Sequence, residues 1–425
     1  MIFIMNKMAI LAALLALAQA GSAAAQAVST GSLRLDEVLA EVKTKNPELL
    51  AAKSLSAMAR SRVKQSYALS DPSLEFERMN TKYGNNFISD AGDRTIGIRQ
   101  EIENPYRLLL KKRAARSESA VYLALYDGKM NEVLARAKTV FYQYYIYGRY
   151  EAIYLETIDL LKEFSRIAED KYAAGLGGQG DAIKAQVELS RTLNMLITLQ
   201  QEKEAARAQL NVLMDRGAED YLPDAAEYRP SLTMSEFSQF EAAALKNNPA
   251  IKTALAKLDE AGSKLTLSKA EYLPDFELLY RRRRSTDERM DRTYDVMLGV
   301  TLPLGWTGNK GAGVKEARFG RDMAEAEYKL EKNGVSLEIK DALIKAKTSL
   351  RLLDLYRTSV IPQAQQALKI SRTSYQSSKG GFLDLLDAER TLLDLKTDYY
   401  RYTVEYQTWL TELERLTGQN IPEGK

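Results

Sequence analysis

Neither cysteine nor histidine occurs in the 425 residues. Without cysteine there are no disulfides, no thiol chemistry and no N-terminal Cys to acylate, so no lipid anchor is expected. Without histidine the commonest metal ligand and the commonest general base are gone. An excess of one charge is missing too. The 60 Lys+Arg stand against 57 Asp+Glu, and the net +3 makes no field that would select nucleic acid or acidic ligands. Long apolar runs are scarce. The start, MIFIMNKMAILAALLALAQAGSAAAQAVSTGS, places Lys7 before an apolar stretch from Met8 to Ala18 and ends on the small-x-small Ala25-Gln26-Ala27. That pattern reads as a cleaved secretory signal peptide over 1–27, because the apolar stretch is shorter than the ~20 residues that span a bilayer. No run of 18 apolar residues follows it, so no transmembrane helix is expected. There is no nucleophile–base pair, no metal-ligand cluster and no nucleotide motif. GNKGAG, 308–313, lacks both the spacing and the Lys-Ser/Thr ending of a phosphate loop and reads as a strand-to-helix turn. No catalytic residue, cofactor or bound metal is expected, and the chain is not read as an enzyme.

What is present is written twice. Asn46-Pro47 recurs as Asn248-Pro249, an offset of 202. The same offset aligns Ala52, Ser66, Ala68, Pro72, Glu75, Asp93, Gly97 and Ala115-Arg116 with identical residues. One inserted residue later the offset is 203, and Tyr172, Gly177-Gly178, Asp181, Ala185 and Leu189 meet Tyr375, Gly380-Gly381, Asp384, Ala388 and Leu392. Such self-similarity reads as two structural repeats, 28–217 and 218–425, with the matching units at roughly 33–217 and 235–418.

Each repeat has one plan. A short helix ends at the Asn-Pro, since the residue before proline is pushed out of helical geometry. A second helix, two strands, a very long helix, a glycine-rich turn and a return helix follow. No proline lies between Pro105 and Pro223, and Met130, Val133/Leu134, Ala137, Val140/Phe141 and Tyr144/Tyr145 step by three and four. Sixty-odd residues of helix make a rod of roughly 100 Å, packed in coiled-coil fashion on its return helix. The expected hairpins cover about 107–216 and 311–417. FYQYYIYGRYEAIY, 141–154, reads as helix packing rather than an aromatic cage.

The expected strands cover about 72–82, 93–103, 274–284 and 292–302. In RTYDVMLGVTLPL, Tyr294, Val296, Leu298, Val300 and Leu302 share one face, and Asp295, Met297, Gly299 and Thr301 the other. Strict alternation over about ten residues suits a tilted membrane-spanning strand with lipid-facing residues on one side. Four strands cannot close a barrel, and open edges are not tolerated in lipid, so several chains must pool their strands. YRRRR, 280–284, at the far end of the third strand, reads as a solvated loop edge or a contact for lipopolysaccharide phosphates.

The whole mature chain resembles the TolC-type outer-membrane efflux channels, the outer membrane factors. The resemblance rests on the tandem repeat, on SVIPQAQQALKISRTSYQSSKGGFLDLLDAERTLLDLKTDYY (359–400), on the repeat starts NPELLAAK and NPAIKTAL, and on the ending LERLTG. DPSLEFERMN, TIGIRQEIENPYRLLLKKRAARSESA and GVTLPLGWTGNKGAGVKEA look like the cobalt–zinc–cadmium branch, with NPYRLLL where that branch carries glycines. The resemblance implies a mainly α fold with a small membrane β part: a homotrimer whose strands form a 12-stranded outer-membrane barrel, continued by a periplasmic α-helical barrel. It implies a passive exit duct in the outer membrane of a Gram-negative bacterium, extending into the periplasm. The partners implied are a periplasmic adaptor, an inner-membrane pump of RND type and outer-membrane lipid. Two other readings stay open: the exit duct of a type I protein secretion system, and a periplasmic coiled-coil scaffold with no pore.

The resemblance also gives the tips a role. Asp384 and Asp387 follow a glycine break and share a helix face. In the family that face lines the closed periplasmic mouth, where three chains would supply rings of carboxylates that repel one another and attract cations. Asp181 and Lys184, at the matching tip of the first repeat, are expected to belong to the same gate, and Asp384 and Asp181 also stand where aspartates cap a helix N-terminus. The first repeat has Lys184 where the second has Asp387, either solvated or paired with a neighbouring hairpin's carboxylate. The turns at Gly175, Gly177, Gly178, Gly380 and Gly381 would dock the adaptor, with glycine expected there for positive φ.

Overall fold

A computed structural model describes residues 31–79, 93–227, 236–284, 293–303 and 308–419. The expected signal peptide lies outside them, as does the far end of the first strand. The first repeat gives α1 (Leu35–Lys45), α2 (Pro47–Gln65), β1 (Ser73–Met79), β2 (Asp93–Ile102), α3 (Pro105–Ala173) and α4 (Gln179–Leu213). The second gives α5 (Phe237–Asn247), α6 (Pro249–Lys269), β3 (Asp275–Arg284), β4 (Thr293–Thr301), α7 (Asn309–Leu355), α8 (Ile361–Gln376) and α9 (Phe382–Thr417). The architecture is mainly helical with one small sheet, as expected.

The Asn-Pro elbows tie each repeat to itself. Proline opens α2 and α6 because its missing N–H costs nothing in a first turn. Asn46 is buried; its side-chain oxygen accepts from Glu48 N and Leu49 N, while Nδ2 donates to Leu213 O at 2.9 Å, the last turn of the return helix. Asn248 does the same in the second repeat, accepting from Ile251 N and donating to Leu416 O at 2.7 Å. One amide thus caps a helix and satisfies an orphan carbonyl at another helix's end. Around the first elbow, Val38, Val42 and Leu49 pack on Val133, Ala137, Phe141, Tyr144 and Tyr145, so the aromatic run is core.

The strands form one antiparallel sheet in the order β1-β2-β3-β4, and β2–β3 joins the repeats. All four connections to helices leave from one end of the sheet. Paired residues share a face, and the two faces differ. Leu74, Phe76, Ile96, Ile98, Leu278 and Tyr280 are exposed on one, beside Tyr294, Val296, Leu298 and Val300, which are 49–70% exposed. Leu302 is exposed too, but β4 ends at Thr301. The other face is polar and cross-linked. Arg99 pairs with Glu75 and, at 2.5 Å, with Glu277, and Arg283 lies 3.6 Å from Asp295.

The rod α3 runs 69 residues without a break, about 104 Å. Its counterpart in the second repeat is interrupted. Between α7 and α8, Tyr356–Val360 form a π turn immediately before Pro362. Proline cannot donate to the preceding turn and its ring crowds the carbonyl four residues back. Tyr356 secures this turn to α9, its hydroxyl 3.3 Å from Asp398 and its ring edge-on to Tyr402.

Candidate functional site

At the tips the two hairpins share one core. Leu161, Phe164 and Ala168 of α3 and Ala182 and Ala185 of α4 pack with Leu368 and Tyr375 of α8 and Phe382, Leu385 and Leu386 of α9. The turns are built alike. Leu176 N bonds Lys171 O and Lys379 N bonds Ser374 O, the six-to-one closure of a left-handed helix end. The left-handed residues are Gly175 (φ 70°) and Ser378 (φ 59°). Gly177, Gly178, Gly380 and Gly381 do not adopt positive φ, contrary to expectation. Space explains two of them: a Cβ on Gly177 would lie 3.2 Å from Lys171 Cβ, and one on Gly380 2.9 Å from Ser374 Cβ. Gly178 and Gly381 are the N-cap residues of α4 and α9.

Asp384 caps α9: its carboxylate accepts from Gly381 N at 3.2 Å. Asp181 stands in the first turn of α4, as expected of a residue that complements the helix dipole, but no side-chain hydrogen bond caps that helix. The Asp181 carboxylate instead takes the Tyr375 hydroxyl across the hairpins, a long hydrogen bond of 3.4 Å. Burial, then the charge of Asp181, pushes the Tyr375 hydroxyl up to about 12, so it stays a donor at physiological pH. Lys171 supports this tie, its ammonium 4.8 Å from the Tyr375 ring centroid and 2.8 Å from Ser378 Oγ.

Asp384, Asp387 and Lys184 line one groove of about 530 Å³ between the first turns of α4 and α9, together with Ile183, Val187, Leu383 and Arg390. The structure therefore brings the aspartate pair and the lysine to one place, while Asp181 faces away toward Tyr375. Asp387 is exposed and, among the described residues, makes no hydrogen bond; Lys184 forms no ion pair there.

Sequence reasoning missed the charged layer one turn deeper. Glu188 of α4 is buried and pairs with Arg390 of α9. Beside it Glu389 is 3% exposed, with one hydrogen bond from Thr157 of α3 and no partner for Oε2. Burial first, then the charge of Glu188, pushes its carboxyl up to about 7. A signal was available: Phe382, Leu385, Leu386, Leu392 and Leu393 mark an apolar stripe, and Glu389 occupies it at helical spacing.

Comparison with known proteins fits this geometry. Residues 242–419 match the family model for the outer membrane efflux protein. The cobalt-zinc-cadmium resistance protein CzcC of Cupriavidus metallidurans is 23% identical over 61% of this chain, an alignment that spans 62% of CzcC. The crystal structure of CusC superposes with a TM-score of 0.78 at 16% identity, covering 91% of this chain and 92% of the other. VceC of Vibrio cholerae superposes at 0.75 and 16% identity, covering 91% and 96%. The fold is thus shared with these outer-membrane channels along nearly the full length, across both repeats, while the outer membrane efflux protein model matches within the second repeat.

Proposed function

We propose that the protein is the outer-membrane duct of a tripartite efflux system, a passive exit for small solutes. The observation that carries this is the sheet: an exposed apolar face, a polar face tied by ion pairs, two open edges, and all its helices at one end. Such a sheet buries its edges by joining copies of itself, and three chains of four strands give a closed ring of twelve. Tyr294, Val296, Leu298, Val300 and Leu302 then face outer-membrane lipid. The rods continue the duct through the periplasm. Their tips, with the turns at Gly175–Gly178 and Gly380–Gly381, meet a periplasmic adaptor and through it an inner-membrane pump of RND type. The likeness to a protein named for cobalt, zinc and cadmium resistance supports heavy-metal cations as cargo.

Asp384 and Asp387 form the cation-selecting constriction, Lys184 lies in the same groove, and the Tyr375–Asp181 bond holds the hairpins together at the closed mouth. Conductance of the mature protein in a planar lipid bilayer tests this. Small cation-selective currents are expected, with lost selectivity in Asp387→Ala, which removes a carboxylate that caps nothing. Currents that ignore Asp387→Ala and Asp384→Ala would keep the duct and leave the aspartates structural. A protein that never inserts would sink the duct reading.

A further inference from the structure

The register stacks the apolar face of the sheet into rows. Phe276 stands between Ile102 and Val300, Leu278 between Gln100 and Leu298, and Tyr280 between Ile98 and Val296. Toward the end away from the helices the rows turn basic. Arg282 stands between Ile96 and Tyr294; in the next row Arg284 pairs with Arg94, and Arg94 with Arg78. Three arginines therefore lie side by side on adjacent strands, and a fourth lies one row nearer the helices. Arg282 and Arg284 are exposed.

The arginines of the opposite face are matched within the sheet, Arg281 by Glu75 and Glu77 and Arg283 by Asp295. Among the described residues no carboxylate pairs with Arg94, Arg282 or Arg284, and Arg94 Nε is buried without a hydrogen-bond partner. Like charges directly opposite on neighbouring strands destabilise a sheet. An external anion would reverse that sign. The row stands eight residues beyond Phe276, about 27 Å along the strand. At a tilt of 35–45° that is a rise of about 20 Å, close to the height of a barrel's apolar band. The arginines thus meet the far headgroup level, with Phe76, Ile96 and Tyr294 just below them at acyl-chain depth.

We propose that Arg94, Arg282 and Arg284 form a binding site for the phosphates of lipopolysaccharide in the outer leaflet, a site that rests on the membrane reading of the sheet. Each guanidinium can hold a phosphate bidentately, and the apolar rows beneath accept the acyl chains of the same molecule. That combination favours a lipid-borne phosphate over a free one.

The test uses the assembled mature protein in detergent, titrated with purified lipopolysaccharide, with dephosphorylated lipid A and with inorganic phosphate. Arg94→Gln/Arg282→Gln/Arg284→Gln should bind lipopolysaccharide about ten-fold more weakly, and Arg281→Gln/Arg283→Gln, on the other face, should bind as the parent does. If the triple variant fails to assemble, Arg284→Gln alone should give about a three-fold loss. Equal losses on the two faces, equal binding of dephosphorylated lipid A, or inorganic phosphate binding as tightly would each overturn the site. Insertion into lipid vesicles is measured alongside. Failure to insert overturns the membrane reading; insertion with arginine-independent binding overturns only this site.

Discussion

The two repeats start from the same elbow and diverge toward the tip. Asn46 and Asn248 make the same bonds to Leu213 and Leu416. Beyond them α3 is continuous, while its counterpart is divided by the π turn Tyr356–Val360. The sequence offset explains the division. It is 202 through Ala317-Arg318 and 203 from Tyr375 on, and among the described residues between them only Tyr356–Val360 leaves α geometry. A π turn holds one extra residue without ending a helix, so the insertion is stored there and both rods still reach the tip in register. At the tip the divergence continues: Gly175 against Ser378 at the left-handed position, and Gln186 against the buried Glu389. At its tip the second hairpin carries the left-handed Ser378 and the unpartnered Glu389 Oε2 where the first has glycine and an exposed glutamine.

The elbows should be the most costly place to cut, and equally so in both repeats. Asn46→Ala or Asn248→Ala removes a cap and orphans a buried carbonyl, together about 3 kcal/mol each. Denaturant unfolding followed by circular dichroism would measure both, and a large loss in one repeat alone would break the equivalence.

Glu389 should separate the repeats by pH. Its folded carboxyl lies near 7, above the ordinary 4.5, so the folded state holds a proton that the unfolded state has released between those values. Stability therefore falls as pH rises from about 4.5 through 7. The groups that face it are Glu188 of α4, Thr157 of α3, and Arg390 and Asp394 of α9. Glu389→Gln, which installs the residue type of the first repeat, should stabilise by roughly 2 kcal/mol at pH 8 and change little at pH 4. A gain that is the same at both pH values would assign the effect to packing. Next in size is Gly380→Ala, whose Cβ would meet Ser374 Cβ at 2.9 Å; Gly177→Ala meets Lys171 Cβ at 3.2 Å. The first should cost about 1–2 kcal/mol and the second less, since a crowded backbone contact yields little. Equal thermal shifts would show that the two turns relax alike.

The elements most legible in the sequence were those with a strong local code. Asn-Pro marked both elbows, the proline-free run from Pro105 marked the rod, and alternation in β4 marked its apolar face. The aspartate pair was legible as a shared helix face. Other features depend on contacts across more than 150 residues: the Tyr375–Asp181 bond, the Glu188–Arg390 pair and the Arg94–Arg284 row. Periodicity places a residue on a face and does not say which distant face meets it. Gly175 holds the positive φ expected of it, whereas Gly177, Gly178, Gly380 and Gly381 do not, because the sequence shows that a Cβ is missing and not whether φ or space requires it.

The smallest effect tests the turn itself. Ser378 holds φ at 59°, where a side chain crowds its own backbone, and Gly175 occupies the same position of the first tip at 70° without that cost. Ser378→Gly should therefore stabilise the second tip by up to about 1 kcal/mol, and Gly175→Ala should destabilise the first by about the same amount. Ser378 Oγ also receives the Lys171 ammonium at 2.8 Å, an exposed contact of small value. Amide exchange at Leu176 and Lys379, whose N–H groups close the two turns, reads each tip separately. Slower exchange at Lys379 in Ser378→Gly would show that strain sets the looseness of the second tip. Faster exchange would show that the lysine contact outweighs the strain, so that the serine holds the turn together.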